Sequence, residues 1–273
     1  TFQVESVAKW AMETGLPIYG LVHNAKIFLS CKDASEALTS GRAKILCLSP
    51  HVASFINQRL PLKHVDDVAV VQSVYWGECK STAAVRNDDA RLVSIPGGVD
   101  FRTRGYNDLI TYLKENSPKT ADGKILRFGI LGGGVDRQKL ERLVEEEGLG
   151  AHFLFAPLAE SKRVLYTDYI RILQQSDLLL PLAPLSFAPY REHKITSAIP
   201  TALGFGLPVV LDRWTERVYQ IPSIISDAEI SATIEKAGEI DDAQLRECAT
   251  WMSTLRECVL TKNSEEFSRL LAR

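Results

Sequence analysis

The chain has 273 residues, of which 45% are hydrophobic and 24% are charged, and its formal net charge at pH 7 is -2. This length exceeds what one hydrophobic core usually serves, so we expect two α/β units. The small net charge excludes a general attraction to nucleic acid or to an acidic membrane, so any phosphate binding must be local.

The five cysteines are scattered and show no CxxC spacing, a pattern that favours neither a disulfide framework nor a zinc site and predicts a cytoplasmic protein. No apolar run approaches the roughly 18 residues that a membrane span requires. Peripheral association with a membrane or with a second copy of the chain stays open.

The first 95 residues alternate between helix and strand signals. An amphipathic stretch predicts a helix that ends near Thr14, and because the chain opens in this stretch without Met, we expect its N-terminus to be incomplete. Ser49-Pro50 is a cap and first-turn pair that predicts a helix toward Arg59. The remaining predictions are strands at 17–23, 43–48, 68–71 and 91–95, and a helix at 33–39.

Pro96-Gly97-Gly98 breaks the chain, and a regular alternation of strands and helices follows. Such alternation predicts a parallel sheet with crossover helices, and the unbroken apolar run at 178–182 predicts helices on both sheet faces. The tail from residue 241 reads as helical with a break at Lys262-Asn263. The predicted strands are 125–131, 152–155 and 178–182, and the predicted helices are 105–116, 136–147 and 162–174.

Several segments, in this order along the chain, resemble those of the GT-B fold glycosyltransferases of the family 4-like group. Upstream, Val22-His23-Asn24 and residues 45–49 are similar to the last strands of the acceptor-side domain, and the whole resemblance covers about residues 17 to 211. The segments of the donor domain that carry it are 95–101, 102–106, 130–134, 153–157, 175–182 and 202–210, the last of which ends in G-x-P-V-V.

The resemblance implies two doubly wound, Rossmann-like parallel-sheet domains of the GT-B type. Residues 1–95 would form part of the N-terminal acceptor-side domain, and residues 96–240 would form the C-terminal domain that binds a nucleotide-sugar donor. Residues 241–273 would be terminal helices that cross back toward the first domain.

A diphosphate fits best where helix N-termini meet the carboxyl ends of parallel strands. Pro200 must lie in the first turn of its helix, which makes Ser197 the expected cap and brings Thr196 and Ser197 toward the phosphates, with Lys194 adding charge. The residues expected to bind the donor are Gly98, Arg102, Arg104, Gly133, Pro157, Lys194, Thr196, Ser197 and Thr201.

Arg104 and His23 are the two residues expected to take part in the chemistry. Arg102 and Arg104 alternate on what reads as an extended segment, so both could reach one ligand, and the resemblance implies that a basic pair here neutralises the diphosphate leaving group. We give Arg104 the catalytic role. The resemblance also implies that His23 faces the transferred sugar, where it would orient the donor or accept a proton from the acceptor hydroxyl.

The sequence departs from the family where many retaining members carry two glutamates, because these positions hold His193 and Thr201, so the anomeric outcome is open. A nicotinamide site is disfavoured because the G-x-G-x-x-G spacing fails at Arg137. We expect sugar transfer from a UDP- or GDP-linked donor to a glycan, lipid or protein hydroxyl, with no cofactor, metal or nucleic acid. The alternatives are a non-catalytic partner subunit of an active transferase and a nucleotide-sugar 2-epimerase.

Overall fold

The computed structural model describes residues 9–10, 13–15, 18–62, 67–75, 89–120, 122–184, 186–226 and 229–272, so most of the predicted first helix lies outside the described residues. The chain divides into two compact units. The first consists of Thr1–Ser73, Ala188–Ile195 and Glu257–Arg273. The second consists of Val74–Phe187 and Thr196–Arg256.

Strands and helices alternate along most of the described chain. The elements are, in order, β1 (Ile18–Val22), α1 (Ala25–Ser30), α2 (Lys32–Thr39), β2 (Ala43–Cys47), α3 (Pro50–Asn57), β3 (Val68–Val70), β4 (Ala90–Ile95), α4 (Tyr106–Glu115), β5 (Ile125–Ile130), α5 (Arg137–Glu146), β6 (Phe153–Phe155), α6 (Tyr166–Gln175), β7 (Leu178–Leu179), α7 (Pro189–Glu192), α8 (Ala198–Phe205), β8 (Val210–Leu211), α9 (Arg213–Tyr219), β9 (Ile224–Ile225), α10 (Ile230–Glu239) and α11 (Asp242–Leu271).

The first unit contains a parallel sheet in the order β1-β2-β3, as its apolar runs predicted. Its core combines strand residues such as Val22 and Ile45 with Phe28 of α1, Leu38 of α2 and Ile56 of α3. The carboxyl ends of β1 and β2 therefore lie side by side, and the chain that leaves each of them enters a helix.

The second unit has the strand order of a dinucleotide-type sheet. Strands β6, β5, β4 and β7 pair in that order, all parallel. Leu179 forms a parallel bridge with Val209, which places β8 beside β7, and β9 pairs with β8. Numbered within this unit, the order is 3-2-1-4-5-6, which is the doubly wound order.

The two faces of this sheet are buried by different helices. Val93 and Phe128 belong to one hydrophobic cluster with Leu109 of α4 and Leu140 of α5. Leu92, the strand residue just before Val93, belongs to a second cluster. Leu203 of α8 is a member of that second cluster. Because successive strand residues point to opposite faces, this division confirms the predicted doubly wound sheet.

The strand β4 belongs to the sheet of the second unit, although the sequence boundary was expected after Ile95. Its residues pair with β5 on one side and with β7 on the other. The contact division accordingly falls after Ser73. Sequence order alone does not reveal this, because a strand's partners can be far along the chain.

The terminal helix is continuous, and the predicted break at Lys262-Asn263 is wrong. The Asn263 side chain accepts a hydrogen bond from the Gln72 backbone N at 2.9 Å and donates one to the Gln72 backbone O at 2.7 Å. This pair of bonds gives Asn263 a reason to lie within a helix despite its low helix propensity. The helix begins in the second unit and ends in the first.

Buried Arg91 fixes the beginning of α11. Its guanidinium donates to the backbone oxygen of Ile240 and forms an ion pair with Asp242 at 2.9 Å. Lys124 binds the same carboxylate at 3.0 Å.

Within the described part of the chain, no helix is both long and apolar enough to cross a bilayer.

Candidate functional site

The carboxyl ends of β4 and β7 mark the point at which the sheet changes direction. From β4 the chain proceeds to β5 on one side, whereas β7 lies on the other side and leads toward β8. Ligands of open α/β sheets bind in the crevice at such a point. The backbone that leaves β4 here is Gly97-Gly98, and the backbone that leaves β7 includes Pro181.

Arg104 lies directly behind this crevice. The residue is 4% exposed, and its Nη1 donates to the backbone oxygen of Pro181. A Cβ placed on Gly97 would lie 2.2 Å from Arg104 Nη2 and 3.0 Å from Ser197 Oγ. The structure therefore brings together Arg104, Ser197 and the glycine backbone, three of the features that the sequence assigned to the donor site.

The Arg102 side chain does not lie beside that of buried Arg104. It is 81% exposed, and its Nε and Nη2 each lie 3.2 Å from a carboxylate oxygen of Asp100. The backbone N of Arg104 donates to the Asp100 backbone O at 3.1 Å, so residues 100–104 form a turn. The expected extended segment with two parallel arginines is therefore wrong, and the Arg102 guanidinium instead lowers the pKa of Asp100.

The glycine turn after β5 packs backbone against backbone. A Cβ on Gly132 would lie 1.9 Å from the Gly97 oxygen, and one on Gly133 would lie 2.2 Å from the Lys162 oxygen. The Val99 backbone N donates to the Gly133 oxygen at 2.7 Å. These approaches leave no room for side chains, so the glycines hold three loops together at the crevice.

Helix α8 begins at the crevice, as Pro200 predicted. Ser197 occupies the N-cap position, but its side chain makes no capping hydrogen bond; instead, Thr196 Oγ1 accepts from the Ala198 backbone N at 3.4 Å. Thr201 is fully buried, donates to the Ser197 backbone O at 2.8 Å and pairs with the Tyr169 hydroxyl at 3.0 Å. Thr201 thus supports its neighbours from within the core.

A cavity of about 440 Å³ adjoins the crevice, within the size range of small-molecule sites. Gly98 and Gly133, both expected donor contacts, lie in its wall. Its other main features, two cations and three tyrosines, were not predicted from the sequence. The residues that line the cavity are Tyr75, Gly98, Leu131, Gly133, Gly134, Lys162, Arg163, Val164, Tyr166 and Tyr169.

The cations of this cavity lie in a loop where a helix was predicted. Helix α6 begins at Tyr166 rather than at residue 162, because the Ala159 backbone N donates to the Arg163 oxygen at 2.8 Å and Val164 bridges to Leu158. Tyr166 and Tyr169 share a helix face at i, i+3 spacing, which is the sequence signal that could have revealed an aromatic wall. Burial raises the pKa of Tyr169, so its hydroxyl is protonated and able to donate.

Arg137 fills the space beyond the glycine turn. It is 2% exposed and donates to the backbone oxygens of Gly132 at 2.7 Å and Ala156 at 2.8 Å. Its guanidinium lies 4.7 Å from the centroid of the Phe155 ring. A buried arginine thus occupies the position of the third glycine of the G-x-G-x-x-G motif. Pro157, which follows at the end of β6, is exposed.

His23 and Lys194 lie in the first unit, whereas the other predicted site residues lie in the second. Asn24 and Lys194 form an antiparallel bridge, and the Ile195 backbone N donates to the His23 oxygen at 3.1 Å. Burial, and next the charge of Lys194, lower the pKa of half-buried His23. Its imidazole is therefore neutral at pH 7 and able to accept a proton.

Three cationic side chains lie at the crevice and the cavity within the described part of the chain. Across the described ranges, no group of three or more His, Cys, Asp and Glu side chains has the arrangement that could hold a metal ion. Positive charge at the crevice and cavity comes instead from Arg104, Lys162 and Arg163.

No family model and no curated protein matches this sequence. Among solved structures, the chain is similar to Anabaena HepE in complex with UDP and glucose, with 14% identity, a TM-score of 0.66 and coverage of 100% of this chain and 76% of HepE. It is also similar to a mutant of S. aureus TarM in complex with fondaparinux, alpha-GlcNAc-glycerol and UDP (13% identity, TM-score 0.60, 93% of this chain and 50% of TarM).

A third similar structure is the pneumococcal O-GlcNAc transferase GtfA in complex with UDP and GlcNAc, with 10% identity and a TM-score of 0.51. This match covers 98% of the present chain and 60% of GtfA. At identities this low, the match between the structures establishes a shared fold. The chain therefore has the fold of the GT-B glycosyltransferases, as the order of its motifs predicted.

Proposed function

We propose that this chain transfers a sugar from a nucleoside diphosphate sugar to an acceptor hydroxyl. The observation that carries the proposal is the crevice of the second unit, where exposed Gly98, the start of α8 and the buried charge of Arg104 adjoin a cavity of about 440 Å³. We propose that the diphosphate binds in the crevice and the nucleoside in the cavity beside it. The UDP present in three structures of like fold supports this reading.

The cavity offers two kinds of contact to the donor. Tyr166 is 52% exposed and presents a ring on which a base can stack, and Lys162 and Arg163 are exposed cations able to bind phosphate oxygens. We infer that the donor sugar is UDP- or GDP-linked and that these residues bind its nucleotide. Thr201 was expected to contact the donor, but it is buried and bonded to the Tyr169 hydroxyl and to the Ser197 oxygen, so we do not assign it that contact.

Arg104 supplies positive charge close to the crevice. Its guanidinium is desolvated and lies against the backbone of Gly97, so its field at the crevice is screened less than that of a surface cation. We propose that this field stabilises the diphosphate leaving group as negative charge develops on it. In this proposal protein side chains supply the charge, and the reaction needs no cofactor.

His23 is proposed to act on the acceptor side of the reaction. Its neutral imidazole, at the carboxyl end of β1, can orient a hydroxyl or accept its proton. A His23→Gln variant keeps a polar group of similar reach but cannot accept a proton. We expect it to keep UDP binding and to lose transfer by about 100-fold, because a general base commonly contributes 10²–10⁴.

Thermal unfolding with UDP, GDP and uridine tests the donor proposal. We expect one diphosphate to raise the melting temperature more than its nucleoside does, and exchange of Lys162 and Arg163 for Gln to reduce that effect. Arg102→Gln is the matched control, since Arg102 is exposed and already paired with Asp100. If neither diphosphate shifts the melting temperature, the donor site does not exist.

A non-catalytic partner subunit is the second candidate. It is favoured because this chain lacks the two glutamates that many members of the expected family carry. Thr201, at one of these positions, is buried and bonded, and His193, at the other, belongs to the first unit. Stabilisation by UDP without transfer or hydrolysis of any UDP- or GDP-linked sugar would support this alternative. Turnover would exclude it, and product analysis would separate transfer from 2-epimerisation.

A further inference from the structure

The carboxyl edge of the sheet in the first unit is built around one crossing segment. The Ala25 backbone N donates to the His193 oxygen at 2.8 Å, and the Ile195 backbone N donates to the His23 oxygen at 3.1 Å. His51 Nε2 pairs with the Lys194 oxygen at 3.1 Å. The segment 193–195 is thereby fixed to the ends of both β1 and β2.

Three cations lie on this segment, in α1 and just after α3. Arg59 lies 3.5 Å over the centroid of the Phe55 ring, and the edge of the same ring meets His193 with centroids 5.3 Å apart. In the parts of the chain that the structure describes, none of the three cations has a carboxylate within ion-pair distance. These cations are Lys26, Arg59 and Lys194.

All three cations act electrostatically on His193. The residue is 8% exposed, and its Nδ1 has no hydrogen-bond partner among the described residues. Burial lowers the pKa of His193, and the charges of Lys26, Arg59 and Lys194 lower it further, opposed by Glu192. Three positive charges and one negative charge therefore act on the imidazole ring.

The N-terminus of the eight-residue helix α3 adds to the positive potential at this edge. Neither α1 nor α3 has an acidic residue in its first turn, where acidic side chains are normally favoured. Lys26 instead places a cation in the first turn of α1. Unpaired like charges repel one another, so this arrangement is stabilised when an anion binds.

We propose that the acceptor carries an anionic group, a phosphate or a carboxylate, which binds at this edge through Lys26, Arg59 and Lys194. This inference rests on the proposed transfer reaction and names the chemical class of its acceptor. The guanidinium can contact two oxygens of such a group, and the lysines contribute point charges. The source is either a soluble sugar that carries the group or the headgroup of a lipid.

The first experiment is an NMR titration of the histidine side chains with glucose 6-phosphate, glucuronate and glucose. We expect the two anionic sugars to shift the His193 signals and glucose to leave them unchanged. Raising the salt concentration from about 0.05 M to about 0.3 M should weaken the interaction, because both partners are charged. Cosedimentation with phosphatidylglycerol and phosphatidylcholine vesicles tests the lipid source in parallel.

Charge-neutralising variants test the residues. Lys26→Gln and Lys194→Gln should each weaken binding of the anionic probe about fivefold, the effect of one partly solvated ion pair. Arg59→Lys keeps the charge and should weaken binding less than Arg59→Gln. Lys32→Gln is the matched control, since Lys32 is an exposed lysine of the same unit that already pairs with Glu36 at 3.6 Å.

Two results would overturn the inference. One is equal binding of glucose and its anionic analogues together with indifference to vesicle charge. The other is anion binding that Lys26→Gln and Lys194→Gln leave intact while both variants melt like the parent chain. A melting titration with UDP on the same samples reports on the donor site separately, so either proposal can fail without the other.

Discussion

The Gly132→Ala substitution tests the packing that shapes the crevice. The added Cβ would lie 1.9 Å from the Gly97 oxygen and 3.0 Å from Gly98 Cα, whereas ordinary contacts begin at 3.4 Å. The backbones must therefore separate by about 1.5 Å. Both sides of the contact are backbone, so no side chain can rotate away to relieve it.

We expect this change to cost about 3 kcal/mol, at the upper end for overpacking because backbone rather than a side chain must move. For a unit of this size, such a loss lowers the melting temperature by about 6–12 °C. The displaced Gly97-Gly98 segment should also weaken UDP binding at temperatures where the variant is still folded. A melting curve recorded with and without UDP measures both effects.

Gly150→Ala provides the matched control within the same unit. A Cβ on Gly150 meets nothing within 4 Å, and its backbone is not in the left-handed region. We expect this variant to melt and to bind UDP like the parent chain. The reasoning is refuted if Gly132→Ala behaves like Gly150→Ala in both measurements.

Three further outcomes follow from buried contacts and from pKa shifts. Arg91→Met should lower the free energy of unfolding by about 3 kcal/mol, because it breaks a buried ion pair with Asp242; a change below about 1 kcal/mol in urea denaturation would contradict this role. Asn263→Ala removes two hydrogen bonds to Gln72 and should cost about 1–2 kcal/mol by the same measurement, and retention of the parental value would show that α11 needs no such anchor. Acid should destabilise the first unit, because burial holds the pKa of three histidines below the ordinary value of 6.5, so their contribution is complete above pH 6.5 and is lost as the pH falls through the folded pKa values. These histidines are His23, His51 and His193. Denaturation midpoints at pH 8 and pH 5.5 that did not differ would refute the last expectation.

The alternation of apolar runs and helical periods was sufficient to predict the parallel sheets. Residues 125–130 and 153–155 formed strands close to their expected bounds, and Pro200 located the start of α8. These signals are local, because they depend on burial period and on the geometry of proline. Local signals therefore recovered the order of the elements.

Features that depend on distant partners could not be predicted. The membership of β4 is decided by its pairing with β5 and β7, and the continuity of α11 is supported by the bonds between Asn263 and Gln72. The orientation of Arg102 is set by a turn around Asp100. In each case a contact formed in the folded chain outweighs a local propensity.

The candidate site was predicted in part. Its glycines and Arg104 were found from their order after strands, and Thr201 was named although its burial was not foreseen. The tyrosine and lysine side chains of the cavity were missed because the loop before α6 read as a helix. Their roles in binding a donor stay predictions.

A crystal structure of the chain with bound UDP would locate the proposed donor site. We expect a diphosphate at Gly97-Gly98 and the start of α8, with the nucleoside in the cavity beside Tyr166. UDP bound elsewhere on the second unit, or crystals that remain free of nucleotide at saturating UDP, would contradict it.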